Sequence, residues 1–228
     1  MGSAAEPAPV RQGYHHGNLR QALLDAGLEL TRTGGVAALT LRDVTRRVGV
    51  SPNAAYRHFA DLDRLRAAVA ERIQHAMVDR MRSFQPAADA EAGVGAAGSS
   101  ARGQLRAVGL GYIGFALAEP GWFDTAFANV GALLAGDPGA RPPVPVQMLM
   151  SALDGLVGSG ELAPELRPGA EWPCWSAVHG FALLALSGPL RGRPEAEIWR
   201  SAERTVDAII TGLLAGRSAD HEPVIMNR

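Results

Sequence analysis

The segment from Thr40 to Phe59, TLRDVTRRVGVSPNAAYRHF, confines this chain to a narrow set of folds. Thr40 is a natural helix N-cap, because its hydroxyl can accept a bond from a first-turn amide. Leu41, Val44 and Val48 repeat at helical spacing and give one apolar face. Gly49 stands where a helix has to stop, since glycine takes a positive φ at little cost. Val50 follows as an apolar plug, and Ser51-Pro52 restarts the chain as N-cap and N1 proline. Ala54, Ala55, Tyr56 and Phe59 carry a second helix, expected over residues 52–58. Two short helices joined by a glycine turn make a helix-turn-helix, whose second helix can enter the major groove of DNA.

The flanking sequence extends this reading. Upstream, Asn18 to Thr33 reads as a longer helix with Leu19, Leu23, Ala26, Gly27 and Leu30 on one face, ended by Gly34-Gly35. Downstream, Asp61 caps a long helix carrying Leu62, Leu65, Val69, Ile73, Met77 and Phe84. With a supporting helix, the helix-turn-helix and a connecting helix in that order, the chain resembles the N-terminal domain of the TetR family of bacterial repressors. The resemblance rests on Gly34-Gly35, Leu39 to Val44, Val48-Gly49-Val50-Ser51, and Tyr56-Arg57-His58-Phe59 with Leu65 following. It covers roughly residues 14–84.

At 228 residues, 47% of them hydrophobic, the chain can bury a full core. No uninterrupted apolar stretch is long enough to span a bilayer, so no membrane partner is expected. Residues 1–13 lack the apolar centre of a signal peptide and read as a disordered arm. The one cysteine, Cys174, excludes an internal disulfide and fits a reducing, cytoplasmic setting. The net charge of −1 argues against nucleic acid, but its distribution argues for it. Residues 1–83 hold twelve arginines against eight acids, and the remainder ten against fifteen. A basic first half and an acidic second half suit a DNA-reading end and an end with another task. Every basic residue but histidine is arginine; there is no lysine.

The fold class expected is all-α, with about nine helices and no strands. The domain reading is an arm at 1–13, the helix-turn-helix domain at 14–60 and a connecting helix at 61–84. A small-residue, glycine-rich flexible loop follows at 85–103, then a ligand-binding and dimerisation domain at 104–216 and a tail at 217–228. Within the last domain helices are expected at 104–120, from Trp122 through Leu133, at Val146 to Ser159, at Trp172 to Ser187 and at Glu195 to Leu214. Residues 136–145 and 160–170 read as loops.

In the last helix Ile198, Ala202, Val206, Ile209 and Leu213 form an apolar stripe, and Leu183, Leu184 and Leu186 crowd the helix before it. Such a stripe packs either inside its own subunit or against a second copy. The family resemblance implies a homodimer through the last two helices. Trp175, three residues, then His179-Gly180 is similar to the Trp-x-x-x-His-Gly pattern of one TetR-related C-terminal subclass, and Tyr14-His15-His16-Gly17 agrees with it.

The candidate DNA-binding residues are Thr40, Arg42, Ser51, Pro52, Asn53, Ala54, Tyr56, Arg57 and His58, with a double-stranded operator as partner. Matching family positions imply phosphate contacts for Ser51, Tyr56 and His58, which position without reading sequence. Asn53 suits adenine, Arg57 guanine or phosphate, and Ala54 a thymine methyl. Arg42 is a further reader, Arg46 and Arg47 are weaker candidates, and the His15-His16 arm is a candidate DNA contact. Tyr56 has a core alternative; Phe59 reads as core. Two positions depart from the family pattern. Leu62 stands where a phosphate-contacting lysine is common, and Thr45 where a small alanine packs. The threonine fits if its hydroxyl bonds back to the preceding turn.

Tyr112, Phe115, Trp122, Phe123, Phe127, Met148, Trp175 and His179 are candidates for a pocket taking a small, largely apolar effector, each with plain core as the alternative. Cys174 and His179, five apart, point about 140° away from each other on a helix and form no catalytic pair. No phosphate loop, paired carboxylate motif, metal set or cofactor signature is found. The expectation is a non-enzymatic repressor released from DNA by its effector. The alternatives are an activator or ligand-independent regulator of the same fold, and a helical interaction adaptor.

Overall fold

The computed structural model describes residues 18–84, 100–128 and 141–215. The arm, Tyr14 to Gly17, most of the 85–103 loop, Val130, Leu133 and the tail lie outside them. Among the described residues there are nine α-helices and no strand. They are α1 (Leu19–Gly34), α2 (Leu41–Val48), α3 (Pro52–Tyr56), α4 (Leu62–Ser83), α5 (Ala101–Ala118), α6 (Pro120–Phe127), α7 (Val144–Gly158), α8 (Glu171–Leu186) and α9 (Glu195–Ala215).

The N-terminal helices form where the local chemistry directs. Thr40 caps α2 by accepting the Asp43 amide at 3.1 Å. Gly49 ends α2 in the left-handed region at φ 76°. Ser51 caps α3 by accepting the Ala54 amide at 3.3 Å, and Asp61 caps α4 through the Arg64 amide at 2.7 Å. Leu23, Val44, Ala55, Phe59, Leu65 and Val69 close one core beneath these helices. Gly27 admits α4, because a Cβ there would lie 2.7 Å from Val69 Cγ2. Thr45 is buried and its hydroxyl donates to the Leu41 carbonyl at 2.8 Å, which is the back-bond that lets it replace alanine.

Several boundaries move. The second reading helix closes at Tyr56 instead of residue 58, because the His58 and Phe59 amides both turn onto the Ala55 carbonyl at 2.9 and 3.0 Å. That tightened turn drives Phe59 into the core. Helix α5 starts at Ala101, three residues inside the expected loop, because Ser100 caps it through the Gly103 amide at 3.0 Å. Helix α5 ends at Ala118, two residues before the expected end, and Pro120 takes the first position of α6. Helix α6 is described only to Phe127.

In the C-terminal half, α5 is the central helix and packs on α4, α7, α8 and α9. Its glycines permit this. A Cβ at Gly111 would stand 2.8 Å from Met81 Cα, and one at Gly114 would crowd Phe84 and Trp199. Phe84, just past α4, stacks on Trp199 of α9 at 5.6 Å. Helix α6 instead packs on α1 and α4, joining the two halves. Gly121 is in its first turn, where a Cβ would overlap the Thr31 and Arg32 carbonyl oxygens.

The α9 stripe faces its own subunit. Ala202 and Val206 are buried, and Ile198, Ile209 and Leu213 pack on the same core. The exposed apolar side chains lie on α8 instead, at Trp172, Leu183 and Leu184.

These packing distances separate two kinds of glycine. Gly121→Ala is expected to destabilise the protein by about 1–3 kcal/mol through overpacking against backbone. Gly155→Ala, in a helix where the new Cβ finds its nearest neighbour at 4.0 Å, should stabilise by up to about 1 kcal/mol through helix propensity. Urea unfolding of both variants checks the pair.

Candidate functional site

The reading surface is built by α2, α3 and the turn after α3. Ser51, Pro52, Asn53, Tyr56, Arg57 and His58 are exposed, Ala54 is half-buried, and Ala55 beneath them is fully buried. Tyr56 is 51% exposed, which overturns its core alternative. Phe59 is buried, with the Arg20 guanidinium 5.1 Å from its ring centroid. The candidate DNA residues on α3 and its closing turn are therefore exposed or half-buried, with two adjustments to the expected set. Thr40 is half-buried, and its hydroxyl donates to Asp43 Oδ2 at 2.6 Å. Its proton is engaged, and its oxygen caps α2. Arg57 and His58 stand on the turn closing α3, one step beyond the helix.

The charges sort by partner. Arg46 pairs with Asp43 at 2.7 Å, Arg47 with Glu29 at 2.6 Å, and Arg66 with Asp63 at 3.2 Å. Among the described residues Arg42 and Arg57 have no acidic partner, which leaves their charge directed outward. Leu62 is half-buried and packs on the core, so the position that commonly carries lysine contributes packing here.

The joint to the C-terminal half lies at α6. Arg32 of α1 forms a two-pronged ion pair with Glu119 and lies 5.0 Å from the Trp122 ring centroid. The Trp122 indole donates to the Leu28 carbonyl at 2.8 Å, and the Val36 amide donates to Asp124 Oδ2 at 3.0 Å. On the other side of α6, Gln74 of α4 donates to the Ala126 carbonyl at 2.8 Å.

The eight candidate pocket residues divide into three groups. Tyr112, Phe123, Phe127, Trp175 and His179 form one cluster, with Tyr112–Phe123 centroids 5.6 Å apart and Phe123–His179 centroids 5.3 Å apart. Phe115 is buried and stacks on Trp122, so this pair belongs to the joint with α1. Met148 is half-buried on α7 and packs on the core. A partly open cavity of about 30 Å³, which His179 does not line, lies between α4, α5, α7, α8 and α9, bounded by Tyr112, Trp175 and aliphatic side chains such as Leu105, Val146, Leu149 and Val206. That volume suits about one water and is far below that of a typical effector site.

Within the cluster the Trp175 indole donates to the Tyr112 oxygen at 3.2 Å, and Tyr112 is hydrogen-bonded to His179 Nδ1 at 2.9 Å. His179 therefore ties α8 to α5. Burial holds its pKa below the ordinary histidine value and pushes the Tyr112 phenol well above its own. Cys174 faces the small cavity, not His179, and burial pushes its thiol up to about 11. Among the described residues no group of His, Cys, Asp and Glu is placed to hold a metal ion, and no helix is long and apolar enough to cross a membrane.

Residues 23–69 match the sequence model of bacterial regulatory proteins of the tetR family, and residues 105–209 match that of the tetracyclin repressor-like C-terminal domain. The chain belongs to the TetR family. A Rhodococcus sp. RHA1 protein of unknown function is 28% identical, with TM-score 0.64 over 90% of this chain and 100% of that one. A putative TetR-family transcriptional regulator from Rhodococcus sp. shares the fold at 22% identity, TM-score 0.56, over 86% and 98% of the two chains. So does a TetR variant of Acinetobacter baumannii AYE in complex with minocycline, at 21% identity, TM-score 0.59, over 86% and 97%. Comparison with curated proteins gives no match.

For this TetR-family regulator, sequence reasoning marked residues that are exposed on α2, α3 and the turn after α3, and missed the α1–α6 joint. Its polar partners lie far apart in the chain, as with Arg32 and Glu119, and no local pattern marks them. Trp122 was legible only as one of several aromatics.

The depressed His179 pKa has a defined consequence for stability. As pH falls below about 6.5 the unfolded chain takes up this proton before the folded one does. Stability through this group is full above that pH and is lost as pH drops toward the folded pKa. The thermal midpoint is expected to fall between pH 7 and pH 5, and less steeply in His179→Gln. Equal slopes would show that His179 is not held neutral by the fold.

Proposed function

We propose that this TetR-family regulator is a cytoplasmic homodimeric repressor that binds a pseudo-palindromic operator and is released by a small effector in its C-terminal domain. The observation that carries the reading is an outward-facing reading surface, with Asn53, Arg57 and Arg42 exposed, fastened through α6 to an aromatic cluster. Phosphate contacts from Ser51, Tyr56 and His58 would set register, and Asn53, Ala54, Arg57 and Arg42 would read bases. Pro52 starts the reading helix. The exposed Trp172, Leu183 and Leu184 on α8 support dimerisation through that helix and α9. An effector favouring the state with the wrong head spacing would lower operator affinity. The Trp175–Tyr112–His179 contacts support the Trp-x-x-x-His-Gly subclass reading. A ligand-independent regulator of the same fold is the second reading, favoured by the small size of the cavity.

Footprinting with purified protein, on DNA upstream of the chain's own gene and its divergent neighbour, tests this at stated salt. A two-fold symmetric protected site is expected. Arg57→Ala should weaken protection. Removing one charged side chain that neutralises a phosphate should flatten the log K against log salt slope by about one. Undiminished binding by Arg57→Ala would remove α3 and its closing turn as the reader.

The proposed dimer surface makes its own prediction. Leu184→Glu should shift the sedimenting species from dimer to monomer while the helical circular dichroism stays unchanged.

A further inference from the structure

Hydrogen-bond accounting around Tyr112 assigns the tautomer of His179. An indole N–H only donates, so Trp175 donates to the Tyr112 oxygen. Accepting from His179 as well would leave the proton of buried Tyr112 without a partner among the described residues, so that proton goes to Nδ1 of His179, 2.9 Å away. Nδ1 carries no proton, and the neutral ring carries its proton on Nε2. Burial, which disfavours the imidazolium, agrees with this.

The outer edge of the ring is free. Among the described residues Nε2 has no hydrogen-bond partner. The one sealed side-chain nitrogen or oxygen without a partner, again among the described residues, is Arg66 Nε, so Nε2 of half-buried His179 is not sealed from solvent. Aromatic rings pack around the imidazole, with centroids at 5.3 Å for Phe123, 5.6 Å for Phe127 and 6.2 Å for Trp175 from its own. No charged side chain among the described residues is bonded to His179 or Tyr112. Tyr112 has no proton left to offer, because its hydroxyl already serves both neighbours.

We infer that the Nε2–H of His179 is the polar contact of the effector site, and that the site selects planar, uncharged molecules bearing a carbonyl-type hydrogen-bond acceptor. This rests on the ligand-responsive reading above. An acceptor satisfies the directed donor while the aromatic rings take the flat body. Among the described residues no cation is bonded there to offset the desolvation of an anion, and an ammonium would meet an N–H donor with no bonded carboxylate to balance it. A hydrocarbon of the same shape would cover the N–H and leave it unpaired, and that asymmetry is what gives such a site its discrimination.

Three naphthalene probes test this on the full-length protein by titration calorimetry at pH 7.5. They are 2-acetylnaphthalene, its hydrocarbon isostere 2-isopropenylnaphthalene, and protonated 1-(2-naphthyl)ethylamine. The ketone is expected to bind about tenfold tighter than the hydrocarbon, with the ammonium weakest. His179→Phe should abolish the preference for the ketone. His179→Gln, which keeps an N–H donor near the same place, should restore it and guards against a variant that fails to fold. Nitrogen-15 shifts of the His179 ring should show Nε2 protonated and Nδ1 bare; the opposite tautomer would overturn the assignment. Binding of all three probes without preference, or a preference that survives in His179→Phe, overturns the inference and leaves the ligand-responsive reading standing. No binding of any probe to the folded protein overturns the site itself.

Discussion

Helix α1 is fastened to the C-terminal half where its last turns lie against the first turn of α6. The approach is close enough that residue 121 has no room for a side chain. Once seated, the joint satisfies itself. The Trp122 indole finds a carbonyl of α1, Arg32 sits between Glu119 and the indole face, and Asp124 takes the Val36 amide. Individually these are modest, partly exposed interactions. Together with the backbone contact they fix α1 and α6 as neighbours, and α1 carries the core on which the reading helices rest. Packed contacts of this kind have discrete arrangements and do not deform smoothly, so α1 and α6 move as a unit or part company.

How much of this was legible in the sequence follows from the range of the forces. The helix-turn-helix is specified by short-range chemistry: Thr40 and Ser51 as caps, Gly49 at positive φ, Pro52 at N1. Each acts within four residues, and each is where the sequence pattern places it. The Thr45 back-bond was legible for the same reason. Errors gathered where tertiary packing decides. Helix α3 ends early because Phe59 has to reach the core, a demand set by α1 and α4. The α9 stripe is a different case: its periodicity leaves the partner open, and Ala202 and Val206 are buried in their own subunit while Ile198, Ile209 and Leu213 are only half-buried. Periodicity reports that a face is covered and not what covers it.

The C-terminal aromatics show the same limit at finer grain. Their composition identified a set, and contact geometry divided it into a joint with α1 and a cluster around Tyr112. Trp175 and His179 are one helical turn apart, so both reach across to one phenol. That convergence gives the spacing of the Trp-x-x-x-His pattern a physical cause. It also fixes the shape of the α5–α8 contact without any charged group.

The absence of lysine has a consequence for how this protein can be regulated. Every side-chain cation apart from histidine is a guanidinium, which keeps its charge at any pH at which the fold survives. Acetylation, a common means of silencing a basic surface, requires an amine side chain. Here it has no side chain to act on, so the positive charge of the α2–α3 surface lies outside the reach of lysine-directed enzymes.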